Sequence, residues 1–366
     1  MGEGEGGGDL WDYFTPSGDI GEGEIRFVGA ALCGRPLRSL PQAWAMKDFE
    51  AIHQAAEIIK KGGLVAFPTE TVYGLGADAF NPIAVARVFE VKQRPHFDPL
   101  IVHVSDLADL KKLVIKIPSH AKKLIKRFWP GPLTIVLTKR DEVPDIVTSG
   151  LPTVAVRMPR HPMTLSLIEL AGSPIVGPSA NPFGYLSPTT AEHVRDQLGN
   201  QIDFVLDGGP CEVGVESTII SFSESKPRLL RPGGVPLEEI ESIIGRVEIA
   251  PIEEGRPSAP GMLPRHYAPR TPILLDWDEK SFDSFGDMKI GLLAFREPKK
   301  SKKKFHSIEV LSKKGDFREA AANLFAAIRR LDTFNLDLIL AETVPEAGLG
   351  RAINDRLRRA RGALHP

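Results

Sequence analysis

The chain has 366 residues, 42% of them hydrophobic and 25% charged, with a formal net charge of −1. That length exceeds what one hydrophobic core ordinarily organises, so two domains plus ends are expected, and the near-zero charge excludes a global field that would draw in nucleic acid. Two isolated cysteines, Cys33 and Cys211, exclude zinc ribbons and disulfide scaffolds and fit a reducing, cytoplasmic compartment, while no apolar run approaches the roughly 18 residues of a membrane span.

Residues 1–45 carry little periodicity beyond an apolar stretch from Ile25 to Leu32 and read as a flexible N-terminal extension. No cationic segment precedes an apolar core there, so a secretory signal is not expected. The folded chain is expected from Met46, with residues 46–249 as a first domain. Asp48 is placed to cap a helix whose apolar face is Ile52, Ala55, Ala56 and Ile59, and Gly62 stops it. Leu64 to Phe67 then reads as a buried strand that feeds an exposed loop at Pro68, rich in hydroxyls and glycines.

Ala84, Val85, Val88 and Phe89 keep the spacing of a short helix, and Leu100 to Val104 gives a second apolar strand. Pro95 biases Arg94 out of the helical region, so Lys92 and Arg94 are expected in extended chain, pointing the same way and able to hold a multiply charged anion. Alone, such a Lys-x-Arg pair is ordinary solvated surface. Its neighbours change the reading, because Thr69, Thr71 and His103 join it at the ends of consecutive apolar strands, where α/β folds bind ligands.

Ser119 is placed to cap a further helix with Ala121, Leu124, Ile125 and Phe128 on one face. Its other face, Lys122, Lys123, Lys126 and Arg127, reads either as a solvated surface or as an RNA-facing stripe. Strands follow at Leu133–Leu137 and Thr153–Arg157, the second delivering Arg157, whose planar fork suits a carboxylate. Ile175-Val176-Gly177-Pro178-Ser179-Ala180-Asn181 repeats the pattern of a buried run, a sharp turn and two polar side chains. Thr189 and Glu192 match a capping box, with ligand contact as the other reading of Thr189. Short strands at Phe204–Leu206, Ile219–Phe222 and Leu229–Leu230 complete a mixed, twisted α/β sheet without strict alternation.

Five prolines between Pro251 and Pro269 mark a linker, taken as 250–271, yet its His266 and Tyr267 suggest a segment that folds back as a lid. Residues 272–366 read as a smaller three-layer, Rossmann-like α/β domain with a parallel sheet: strands at Ile273–Leu275, Ile290–Phe295 and Leu338–Ala341, and helices marked by Phe317 to Leu331 and Ala352 to Leu357. It has no glycine-rich nucleotide motif. Lys299, Lys300, Lys302, Lys303 and Lys304 form a basic loop, read either as solvated surface or as a phosphate or RNA contact.

The first domain has no nucleophile elbow, HExxH or paired catalytic carboxylates. Cations, hydroxyls and amides at strand ends suit positioning and charge neutralisation, as phosphoryl or nucleotidyl transfer requires. The runs PTETVYGLG at Pro68–Gly76, the Lys92/Arg94 pair followed by PLIVHV, GPSAN at Gly177–Asn181 and GVESTII at Gly214–Ile220 resemble the YrdC family. The SAPGM and HYAP segments of the linker and the closing GLGRAINDRLRRA resemble its long, two-domain form.

That resemblance implies synthesis of L-threonylcarbamoyl-AMP from L-threonine, bicarbonate and ATP, with Mg²⁺ carried mainly by ATP and no metal held by the protein. The product would pass to a tRNA threonylcarbamoyl transferase, with tRNA contact an open question and no membrane involved. It assigns Arg157, Thr71, His103, Ser179, Ser217 and Thr218 to the amino acid, and Lys92 and Arg94 to the phosphates as the catalytic cations. It places Asp98, Thr153, Ser179, Asn181, Thr189, Arg231, His266 and Tyr267 around ATP. Asp98 departs from the asparagine usual before PLIVH, and a carboxylate there repels a triphosphate unless Mg²⁺ intervenes. Two alternatives stay open: an RNA-binding module without turnover, and carbamoyl-adenylate chemistry of the hydrogenase-maturation type, whose paired-cysteine zinc motifs this chain lacks.

Overall fold

A computed structural model describes residues 46–251, 259–260, 262, 266–278, 282, 285–298 and 304–361. The proposed extension 1–45, the linker residues Ser258, Gly261 and Leu263 to Arg265, and Lys299, Lys300, Lys302 and Lys303 lie outside the described residues.

The first unit runs α1 (Met46–Lys60), β1 (Val65–Phe67), β2 (Gly74–Asp78), α2 (Pro82–Lys92), β3 (Ile101–His103), α3 (Leu107–Leu113), α4 (Ser119–Phe128), β4 (Leu133–Thr138), α5 (Asp145–Thr148), β5 (Thr153–Arg157), α6 (Pro162–Ala171), β6 (Ile175–Val176), α7 (Ala191–Leu198), β7 (Phe204–Val205), β8 (Thr218–Ser221), β9 (Arg228–Arg231), α8 (Leu237–Ile244) and β10 (Glu248–Ile249). Its ten strands form one sheet in the order β10-β9-β8-β4-β5-β3-β6-β2-β1-β7. Parallel pairs such as β3 with β5 and β4 with β8 alternate with antiparallel ones such as β4 with β5, so the sheet is mixed, as the sequence suggests.

The second unit contains β11 (Ile273–Leu274), β12 (Ile290–Ala294), β13 (Ser307–Val310), α9 (Phe317–Asp332), β14 (Leu338–Ala341) and α10 (Gly350–Arg361). Its four strands are ordered β11-β14-β12-β13 and all pair in parallel. Helices α9 and α10 cover one face through Leu324, Ile328, Ile353 and Leu357. Trp277, Phe282, Phe285 and Phe305 pack on the other.

The two units share a core. Val72, Leu186 and Val215 of the first pack in one apolar cluster with Tyr267, Phe325 and Leu357.

Several local expectations are corrected. The segment after Pro68 is buried, with Thr69, Glu70, Thr71, Val72 and Tyr73 at most 6% exposed, and the glycines after it form strand β2. A Cβ on Gly74 would stand 2.7 Å from the Phe67 ring, so close strand packing rather than a turn demands glycine there. Lys92 ends α2, and Gln93 then turns the chain through a left-handed conformation (φ 52°), so Lys92 and Arg94 are not extended neighbours facing one way. Asp48 lies inside the first turn of α1, and Ser119 follows the cap residue Pro118. The α7 cap is Thr190, which accepts from the His193 amide, one residue beyond the expected Thr189.

Candidate active site

Parallel pairing of β3 and β5 sets His103 opposite Arg157 at the strand ends. β6 runs antiparallel to β3 and leads to Ser179, whose backbone bridges Gly74. A Cβ on Gly177 would meet the His103 ring and Phe67 at 2.7 Å, so only glycine lets this turn approach the histidine. Ser217 precedes β8 and Arg231 ends β9. These ends surround a cavity of about 40 Å³, whose lining includes Thr71, Arg94, His103, Arg157, Ser179, Glu216, Ser217 and Arg231, with Pro260, His266 and Tyr267 over it from the linker.

Arg157 is held on all sides. Its Nη2 lies 2.7 Å from Glu70 Oε1, Nη1 donates to the Thr71 hydroxyl at 2.9 Å, and Nε donates to the Gly131 carbonyl at 3.2 Å. His103 stands edge-on to Phe67, with centroids 5.5 Å apart, and its Nδ1 is buried without a hydrogen-bond partner among the described residues. Burial first, and then Arg157, pull its pKa well below the usual histidine value, so it is a neutral ring with a proton acceptor to offer.

Arg231 Nη2 donates to the Ser217 carbonyl at 3.0 Å, and Nη1 reaches the Pro260 carbonyl at 3.2 Å, tying the linker to the wall. Ser217 Oγ lies 2.7 Å from the Thr134 hydroxyl. Arg94 pairs with Asp98 at 2.8 Å and donates to the Pro99 carbonyl at 2.8 Å. Its guanidinium also lies over Phe183, which meets His266 edge-on.

Nine of the expected residues therefore meet at one cavity. Six do not line it. Lys92 is 1% exposed and donates to the carbonyls of Ser179 and Asn181, bracing the turn from behind. Burial and the adjacent Arg94 push its pKa well down. Asp98 faces Arg94, which removes the expected need for a metal to screen its charge.

Thr218 bonds both backbone groups of Val235. The Asn181 amide donates to Pro182 and Tyr185 carbonyls, and Thr189 contacts His193. Thr153 begins β5, on the same face as Arg157 by strand alternation. Between the two, Ala155 of that face is covered by Ala259 and Met262 of the linker.

Sequence reasoning missed Glu70 and Glu216, which sit inside the quoted motifs, and Arg356 of α10, which pairs with Glu216 at 2.7 Å. Among the described residues no three His, Cys, Asp or Glu side chains are grouped to hold a metal ion. The three buried carboxylates beside the cavity each face an arginine: Glu70 with Arg157, Asp98 with Arg94, and Glu216 with Arg356.

A family model described as Telomere recombination, for the Sua5, YciO and YrdC proteins, matches residues 57–233. A model for the threonylcarbamoyl-AMP synthase C-terminal domain matches residues 235–362. Threonylcarbamoyl-AMP synthase of Pyrococcus abyssi is 47% identical over 322 residues, spanning 85% of this chain and 94% of that protein. The Bacillus subtilis protein of that name is 42% identical, spanning 85% and 93%. The crystal structure of P. abyssi Sua5 complexed with L-threonine superposes with a TM-score of 0.79 at 45% identity, covering 86% of this chain and 95% of that one. With both family models matched in order and such identity over nearly the whole of these relatives, the chain belongs to the threonylcarbamoyl-AMP synthase family.

Proposed function

We propose that the cavity converts L-threonine, bicarbonate and ATP to L-threonylcarbamoyl-AMP and pyrophosphate. The observation that carries this reading is the convergence of three buried arginines, Arg94, Arg157 and Arg231, with the hydroxyls of Thr71, Ser179 and Ser217 on one cavity. Such a set binds anions, and the hydroxyls of Thr71 and Ser217 bond to arginines and other hydroxyls rather than to a histidine base that would activate them. The chemistry is then positioning and charge neutralisation.

In this reading Arg157 holds the threonine carboxylate, its fork preset by Glu70, Thr71 and Gly131. Neutral His103 accepts a hydrogen bond from the amino acid, and Ser179 and Ser217, with Thr218 behind, shape its pocket. The threonine amine adds to bicarbonate with loss of water to give a carbamate. A carbamate oxygen attacks the α-phosphorus and pyrophosphate leaves.

Arg94 and Arg231 face the phosphates, and Lys92 and Asn181 act by holding the Ser179 turn. Asp98 orients Arg94. Thr153 and Thr189, which do not line the cavity, are assigned to its nucleotide side by the family resemblance alone. Magnesium enters as MgATP, part of the substrate, and spreads phosphate charge there; the arginine-paired carboxylates fit a protein that leaves the metal on the nucleotide.

In this reading Pro260, His266 and Tyr267 line the cavity from the linker, and their displacement widens the path for ATP. The product, a mixed anhydride, would be consumed by a tRNA threonylcarbamoyl transferase in the cytoplasm, with tRNA meeting this chain only through that partner or a local basic patch.

Pyrophosphate release from MgATP and bicarbonate, with and without L-threonine and with serine as control, tests the reading. Threonine-dependent release is expected. A folded protein that binds ATP but releases none would return weight to the RNA-binding alternative.

A further inference from the structure

Helix α10 reaches from the second unit to the cavity wall. Its Arg356 side chain has no exposed surface. The guanidinium meets Glu216 Oε2 through Nε at 2.7 Å, and through Nη1 it donates to the Pro232 carbonyl at 3.0 Å and to Asp355 at 2.7 Å. Its carbon lies 5.2 Å from the centre of the Tyr267 ring. Nη2 is buried without a hydrogen-bond partner among the described residues. One turn further on, the Arg359 carbonyl accepts from the His266 amide at 3.3 Å. Two of the three linker residues over the cavity, His266 and Tyr267, are thus held by the same helix.

Glu216 makes this contact consequential. It lines the cavity, and an ionised carboxylate there would repel a nucleotide's phosphates. Arg356 answers that charge from behind the wall. The same guanidinium also backs the tyrosine that covers the opening.

We propose that Arg356 is a positioning residue of the reaction, one that neutralises Glu216 and fixes Tyr267 over bound nucleotide, so that ATP affinity depends on how helix α10 is seated. It presupposes the cavity to be the nucleotide site, as proposed above.

Glu216 is faced by Arg356 and Asp355 from α10, Arg231 from β9, the Ser187 hydroxyl, and His266 and Tyr267 from the linker. Burial raises its pKa, but Arg356, Arg231 and the Ser187 bond outweigh burial and hold it at about 2. The native carboxylate therefore stays ionised and compensated at every working pH.

The test compares the full chain with Arg356→Met, Glu216→Gln and the double variant by steady-state pyrophosphate release from pH 6 to 9, and by hydrogen exchange of the His266 and Ala268 amides. Arg356→Met should raise the KM for ATP by about tenfold or more, the size of effect an uncompensated buried charge produces. That rise should steepen with pH as Glu216, freed of its partner, ionises. The KM for threonine should stay within about threefold, since Arg157 is untouched.

Linker amides should exchange faster in Arg356→Met. Adding Glu216→Gln should recover the part of the ATP affinity lost to the stranded charge and abolish the pH dependence, while the part owed to the loosened linker stays lost and exchange stays fast. A native KM for ATP in Arg356→Met, or equal losses for both substrates that Glu216→Gln does not relieve, would overturn the proposal. If Arg356→Met does not fold, the double variant, which buries no unpaired charge, is compared with Glu216→Gln alone, and native linker exchange there would overturn it. A wild-type chain with no threonine-dependent release would instead refute the activity, while the exchange data still judge the hold of Arg356 on the linker.

Discussion

Arg157→Ala separates two roles that the structure gives one side chain. The guanidinium is 4% exposed and its partner Glu70 is 2% exposed. Truncation leaves the Glu70 carboxylate buried and unpaired, and removing one partner of such a pair destabilises by about 3–5 kcal/mol. It also removes the bidentate contact assigned to the threonine carboxylate, a charge-assisted interaction of about 1.5–3 kcal/mol, or about 10- to 150-fold in affinity.

The stability loss should be relieved by Glu70→Gln in the same chain, because no charge is then stranded, whereas threonine affinity should not return. Thermal unfolding measures the first and calorimetric titration with L-threonine the second. Threonine affinity within about twofold of the native value in a folded Arg157→Ala chain would refute the carboxylate role. Recovery of both properties by Glu70→Gln would show that Arg157 acts only as scaffold.

Lys92→Ala should lower thermal stability by an amount typical of a buried unsatisfied network, about 1–3 kcal/mol per carbonyl left bare at Ser179 and Asn181, not the near-zero change of an exposed lysine; an unchanged melting temperature would show that the buried contact is dispensable. Gly74→Ala should cost about 1–3 kcal/mol, because the new methyl would meet the Phe67 ring at 2.7 Å, and chemical denaturation checks it. Glu216, held at about 2 against an ordinary 4.5, contributes stability that is complete above the unfolded value and is lost as pH falls from about 4.5 toward 2. The shift corresponds to about 3 kcal/mol. Acid titration of unfolding should show that loss in the native chain and a flatter curve in Glu216→Gln; identical curves would contradict the pairing.

The strands that carry Arg157, His103 and Ser179 were readable because each couples a short apolar run to an abrupt turn, and that pattern is local. β2 was not, because its Gly74 and Gly76 resemble a turn until the Phe67 ring they accommodate is known. Helix α6 has apolar residues on nearly every side, since it packs against α1 through Leu167 and Ile168, so it offers little amphipathic period to detect. The Glu216–Arg356 ion pair was invisible for a different reason. Glu216 and Arg356 are 140 residues apart in the chain, and nothing in either motif names the other.

Tyr267 belongs to the same apolar cluster as Leu324, Phe325 and Leu357. Under the proposed reading, lifting Tyr267 from the cavity also breaks its contact with Phe325, whose ring centre lies 5.4 Å away, so opening is a local unpacking of the smaller unit's core. Substitutions in that core should then alter how readily the site opens without touching the reacting atoms.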